Sequence, residues 1–267
     1  PTTLFIDSTP DIDRVWKRVH GPGDPAITVN MGPVAEAAIP AVVAGYDTVI
    51  NDATYFTEAT LSACPGLRHI VFLGTGAASF VDLAAAARLG IKVSTIGGYG
   101  DTTVAEHALG LVFAAARHIG AMHSDVRAGG WRPRQGMELS GKTLGIVGLG
   151  GIGREMARLS RGIGFETIAW NRSPLAEPPV PLVALEELLD RAHVVSLHLA
   201  LNDATRGFLD GDKLARLRPG AILVNTARAG IVDEAALVER LRAGQLGHYA
   251  TDVFSHEPPS PDDPLLK

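Results

Sequence analysis

The chain has 267 residues, 24 Lys and Arg against 29 Asp and Glu, and a formal net charge of −5, so it carries no electrostatic footprint for nucleic acid or an acidic membrane surface. Its length and 46% hydrophobic content suit an α/β enzyme of two domains, and no apolar run reaches the ~18 residues of a membrane helix. The single cysteine, Cys64, excludes an internal disulfide and points to a reducing, cytoplasmic compartment; between Ala63 and Pro65 it reads as packing.

Residues 1–100 alternate strand and helix. Strands are expected at Thr3 to Ile6, Ala26 to Asn30, Asp47 to Ile50, His69 to Gly74 and Lys92 to Ile96, several apolar enough to be buried on both faces. Helices are expected at Asp11 to His20 and at Val81 to Leu89, the latter closed by Gly90. The pattern is that of a parallel sheet in a domain of its own. Its informative turn is Leu73-Gly74-Thr75-Gly76, which reads either as a plain strand-end turn or as backbone N–H groups placed to receive a carboxylate.

One long helix, Asp101 to Arg127, should follow, capped by Asp101 or Thr102 and ended by Gly129-Gly130. Val104, Ala108, Leu111, Val112, Ala115 and Ile119 give it one apolar face, suited to connecting two lobes and to a homodimer surface. His107, His118 and His123 on it read as packing or surface histidines, and no metal site is expected.

Gly141 to Ser173 then reads as strand, glycine turn, helix and strand. Thr143 to Val147 enters Gly148-Leu149-Gly150-Gly151-Ile152-Gly153, and a helix follows from Arg154 to Gly162. Gly148 allows the tight turn, Gly150 lets backbone approach a pyrophosphate, and Gly153 lets helix and strand pack closely. The amides of Gly151 and Ile152 sit at the helix N-terminus, where an anion is favoured. The next strand, Glu166 to Trp170, lacks the terminal acid that takes the ribose 2′-hydroxyl of NAD and ends in Asn171-Arg172-Ser173. Arg172 can bind a 2′-phosphate, with Asn171 and Ser173 as neutral donors, so NADP is favoured over NAD.

Alternation resumes after the clamp. Helices are expected at Leu185 to Ala192, Lys213 to Leu217 and Asp233 to Ala243, and strands at Val194 to Leu199, Ala221 to Thr226 and His248 to Phe254. Ligands of open parallel sheets lie beyond the carboxyl ends of the strands, here at His198-Leu199-Ala200, Thr226-Ala227-Arg228 and Asp252, followed by Glu257. Arg228, Asp252 and Glu257 are therefore expected at the nicotinamide end.

Thr103-Val104-Ala105-Glu106-His107, the GLGGIG turn, Asn225-Thr226-Ala227-Arg228-Ala229-Gly230 with Val232-Asp233-Glu234, and Asp252-Val253-Phe254 with Glu257-Pro258-Pro259 together resemble the D-isomer-specific 2-hydroxyacid dehydrogenases, which include glyoxylate/hydroxypyruvate reductases. The resemblance implies two doubly wound parallel-sheet α/β domains. Residues 1–100 would be a flavodoxin-like substrate domain, completed in the family by a C-terminal segment missing here, and residues 101–267 a Rossmann NAD(P)-binding domain. It also implies hydride transfer between NAD(P)H and C2 of a small-molecule 2-oxo or 2-hydroxy acid.

Arg228 matches the family's catalytic arginine, whose planar fork suits a carboxylate and the neighbouring carbonyl oxygen. Glu257 matches the acid that pairs with a catalytic histidine, Asp252 the residue holding the nicotinamide carboxamide, and Thr75 and Gly76 the backbone amides that take the substrate carboxylate. Thr103, His198, Leu199, Ala200, Thr226 and Ala227 fall at cofactor positions of the same motifs. No histidine follows His256, which does not match the family's base, so that base is expected beyond Lys267. The alternative on the same fold is a dinucleotide-sensing, corepressor-like interaction protein; no partner-binding tail or basic patch favours it.

Overall fold

The computed structural model describes every residue except Pro1, Thr75 and Lys267. The chain divides into two compact units, Pro1–Tyr99 and Gly100–Lys267.

In the first unit β1 (Thr3–Ser8), α1 (Pro10–Val19), β2 (Ile27–Met31), α2 (Ile39–Val43), β3 (Thr48–Asn51), α3 (Glu58–Ser62), β4 (His69–Phe72), α4 (Leu83–Arg88) and β5 (Lys92–Thr95) follow one another. The strands pair in parallel in the order β2-β1-β3-β4-β5, a doubly wound sheet whose winding reverses between β1 and β3. Only β1 is buried on both faces. β3 and β4 alternate buried and half-buried positions, and the edge strands β2 and β5 contain no buried residue. The reason is cover: an edge strand has a neighbour on one side only, and α2, α3 and α4 are too short to overlay the whole sheet. The expected helix at Val81 begins instead at Leu83, because the Asp82 carboxylate accepts from Ala85 N–H and caps it.

The second unit contains α5 (Asp101–Ala116), α6 (Ile119–Arg127), β6 (Thr143–Val147), α7 (Gly151–Ile163), β7 (Glu166–Trp170), α8 (Leu185–Arg191), β8 (Val194–Leu197), α9 (Gly211–Arg216), β9 (Ile222–Asn225), α10 (Glu234–Arg242) and β10 (His248–Thr251). All strands are parallel, in the order β10-β9-β8-β6-β7. Every residue of β6, β8 and β9 is buried, as expected for a sheet covered on both faces. Leu188, Leu214 and Leu237 from α8, α9 and α10 belong to one core layer, and Ala105, Ala108, Val112 and Met156 from α5 and α7 to the other. This is the Rossmann arrangement. No helix among the described residues is long and apolar enough to cross a membrane.

The single helix expected over residues 101–127 is two. α5 ends at Ala116 because Met137 N–H takes, at 2.8 Å, the Ala116 carbonyl that Gly120 N–H would bond in a continuous helix. His118, at φ 53°, then turns the chain through a left-handed residue into α6. The buried stripe of α5 is accordingly Ala105, Ala108, Val112 and Ala116, while Ile119, past the break, is 51% exposed. Asp101 is not the cap but the first helical residue, behind Gly100.

The strands expected to run to Leu199, Thr226 and Phe254 stop at Leu197, Asn225 and Thr251. At two of these ends side chains take over from the ladder. Asn225 Oδ1 accepts from Ala227 N–H while its Nδ2 donates to Arg228 O, and Thr251 Oγ1 donates to Asn225 O and accepts from Val253 N–H.

Candidate functional site

The glycine turn of the second unit shows why each glycine stands where it does. Gly148 has φ 101°, and a Cβ on it would lie 2.6 Å from the His198 carbonyl oxygen. A Cβ on Gly153 would lie 2.0 Å from Gly148 O, so α7 packs directly on the end of β6. Gly150 differs, because nothing lies within 4 Å of a Cβ built there. It is the N-cap of α7 and supplies no side-chain hydrogen bond, so the first-turn amides of that helix, Gly151 and Ile152 among them, receive no side-chain cap from it.

The end of β7 is tied to this turn. Asn171 Oδ1 accepts from Leu149 N–H at 3.0 Å and its Nδ2 donates to Ser173 O at 2.7 Å. Asn171 is therefore a clamp between turn and loop before it is a ligand donor. Arg172 and Ser173 are exposed beside it.

Past β8, His198 Nε2 lies 2.9 Å from the buried Ser196 Oγ, and burial of the ring pushes its pKa down to about 4. His198 is thus a neutral imidazole at neutral pH. Leu199 is half-buried and Ala200 exposed, and the Ala200 carbonyl accepts from Thr205 Oγ1 at 2.6 Å. The buried Thr226 Oγ1, just past β9, has no hydrogen-bond partner, one of three such side-chain atoms among the described residues. Next to Ala227, Arg228 has extended backbone, and its Nη1 donates to the Ala227 carbonyl at 2.7 Å. The buried Asn225 fixes that turn and also donates to Tyr249 Oη at 3.2 Å. Tyr249 is itself buried enough that desolvation raises its pKa.

Asp252 follows β10, and its Oδ2 lies 3.2 Å from His107 Nε2 on α5. His107, read from the sequence as a packing or surface residue, is exposed and pairs there with Asp252. The signal that could have singled it out is its spacing of four from Thr103, which places both on one face of α5. Glu257 Oε1 accepts from Phe254 N–H at 3.0 Å, closing its own turn.

In the first unit Gly76 precedes a single 3-10 turn, Ala77–Ser79, and Thr75 lies outside the described residues. A Cβ on Gly74 would meet the Phe72 ring at 2.7 Å, which accounts for that glycine by packing. Sequence reasoning missed the knot at the winding reversal. The buried Asp7 carboxylate accepts from the N–H groups of Asp52, Ala53 and Thr54 and from Thr54 Oγ1, all within 3.0 Å. Burial, and then the charge of Asp7, raise the pKa of Asp52.

Two doubly wound parallel α/β units, the second with a glycine turn at the reversal of its sheet, define the class of two-domain proteins built to bind a nucleotide at that turn. The comparisons make this specific. Residues 109–267 match the family described as D-isomer specific 2-hydroxyacid dehydrogenase, NAD binding domain. The chain is 37% identical over 215 residues to the hydroxypyruvate reductase of Thermotoga maritima, covering 79% of this chain and 70% of that protein. Among solved structures it is similar to the TT0316 protein of Thermus thermophilus, with a TM-score of 0.86 and 32% identity over 100% of this chain and 86% of that one. It is also similar to a glyoxylate reductase from Paecilomyes thermophila, with a TM-score of 0.83 and 29% identity over 100% of this chain and 85% of that one. The chain belongs to the D-isomer-specific 2-hydroxyacid dehydrogenase family.

Proposed function

We propose that this protein reduces a short 2-oxo acid of the glyoxylate or hydroxypyruvate kind to the D-2-hydroxy acid, with NADPH preferred over NADH. The observation that carries the cofactor preference is the end of β7, where Asn171 is held against the glycine turn and the exposed Arg172 stands where an NAD-selective chain has a carboxylate. The names of the Thermotoga and Paecilomyes relatives support a short acid as substrate.

Two features fit a dinucleotide: the open face of Gly150 and the buried, unpartnered Thr226 Oγ1. Gly150, Gly151 and Ile152 would hold the pyrophosphate, Arg172 and Ser173 the 2′-phosphate, and Asp252 the carboxamide. Gly148 and Gly153 shape the turn, while Thr103, His198, Leu199, Ala200, Thr226 and Ala227 line the remaining cofactor path. When bound, the dinucleotide supplies the hydride. Arg228 binds the acid by its carboxylate and polarises the C2 oxygen, a task that needs its planar fork. Gly76 is assigned to the substrate carboxylate, and Glu257 to orienting the imidazole that donates the proton. His107 fixes the rotamer of Asp252.

The protein works as a homodimer in the cytoplasm. Supporting the dimer, Phe113, Ile119, Val126 and Trp131, which fall within residues 113–131, are 38%, 51%, 53% and 84% exposed.

Steady-state oxidation of NADPH and NADH with glyoxylate and hydroxypyruvate tests the reading. Faster turnover per KM with NADPH is expected, and Arg172→Ala should weaken NADPH by about tenfold or more while leaving NADH unchanged. Equal or better use of NADH by the unaltered protein overturns the preference, and activity with neither acid overturns the substrate class.

A further inference from the structure

The first turns of α5 and α7 meet at the glycine turn, and the side chain seated at the meeting point is Asp101. A Cβ built on Gly151 would stand 1.8 Å from Asp101 Oδ2 and 2.4 Å from its carboxyl carbon, so the carboxylate rests directly on the Gly151 α-carbon. Asp101 is the first residue of α5 and Gly151 the first of α7, and both helices have a glycine N-cap without a side-chain hydrogen bond. The carboxylate therefore lies in the positive field of two helix ends at once.

The helix that carries it is tied to α7. Thr102 Oγ1 donates to Glu155 Oε2 on α7 at 3.3 Å, and the same carboxylate oxygen accepts from Arg158 Nε and Nη2 at 3.0 and 2.8 Å. Below this tie, Ala105 and Ala108 of α5 share a core layer with Met156 and Ala157 of α7. Asp101 thus stands on a packed helix beside the amides to which a pyrophosphate is drawn.

We infer that Asp101 is an affinity-setting residue, an anion supplied by the chain itself that occupies the field of the α7 N-terminus and repels the dinucleotide's pyrophosphate. This rests on the reading that the dinucleotide binds at this turn. The like charge loosens cofactor binding without entering the chemistry, which suits an enzyme that must release its oxidised cofactor after each turnover. In sequence Asp101 looks like a helix cap; only the packing of α5 on α7 brings its carboxylate to Gly151.

The test is calorimetric titration with NADH, which lacks the 2′-phosphate and so leaves Arg172 out of the comparison. The full chain, Asp101→Asn, and Asp101→Ser as a second neutral variant are compared with Glu239→Gln, which removes an equal charge from an exposed position of α10. At ~0.1 M salt both Asp101 variants should bind NADH about five- to thirtyfold more tightly than the unaltered chain, and Glu239→Gln should not differ. At ~1 M salt the gain should shrink toward none, because the screening length falls from about 10 Å to about 3 Å. Equal or weaker binding by both variants at the lower salt overturns the inference while leaving the cofactor reading intact. Failure of every form to bind NADH and NADPH overturns that reading and the inference together.

Discussion

Arg228 and His198 show how much at this scale depends on a few atoms. The Arg228 turn is held by a buried asparagine that satisfies Ala227 N–H and Arg228 O together, so the guanidinium is presented from a fixed backbone. Arg228→Lys keeps the charge and loses the fork; kcat/KM for the 2-oxo acid should fall about hundredfold with cofactor affinity unchanged, which kinetics and calorimetry on one preparation separate. The burial of His198 predicts a pH effect on stability. Its folded pKa of about 4 lies below the ordinary 6.5. Between those values the unfolded chain binds a proton that the folded chain refuses, so stability is complete above pH 6.5 and is lost as pH falls toward 4. This one group accounts for about 3 kcal/mol over that window. Urea unfolding of His198→Asn at neutral and acid pH should show a shallower acid loss than the unaltered protein. His69, His193 and His248, lowered chiefly by burial in the same direction, keep the remaining slope from vanishing.

Among the elements, the glycine turn separates two kinds of glycine that a sequence pattern treats alike. Gly153→Ala forces a methyl to 2.0 Å from the Gly148 carbonyl, so α7 must move off β6. Its unfolding free energy should drop by about 1–3 kcal/mol or more. Gly150→Ala meets nothing within 4 Å in the folded chain, so its melting temperature should stay within error while its dinucleotide affinity falls. If Gly150→Ala binds NADPH as before, the cofactor does not pass over this residue. The same element level explains where sequence reasoning failed on α5 and α6. Their combined apolar pattern is continuous, and nothing local says that Met137, more than twenty residues on, will take the Ala116 carbonyl.

For the whole molecule, the exposed aromatic and aliphatic residues from Phe113 to Trp131 bear on the assembly. Sedimentation of the purified chain should give twice the chain mass, and Ile119→Asp combined with Trp131→Ser should shift it toward monomer; a monomeric unaltered chain sinks the dimer. Two parallel sheets and their family were legible in the sequence, because buried parallel strands are written as short continuous apolar runs, and a glycine turn between strand and helix is written in adjacent residues. These features depend on neighbours along the chain. The Asp7 knot, the His107 and Asp252 pair, the seat of Asp101 on Gly151 and the break at His118 depend on neighbours in space. The partners are 45–47, 145, 50 and 21 residues apart. What joins them is the order in which strands enter the sheet and the angle at which helices cross it. No residue type records that geometry, and so it was decided only by the tertiary structure.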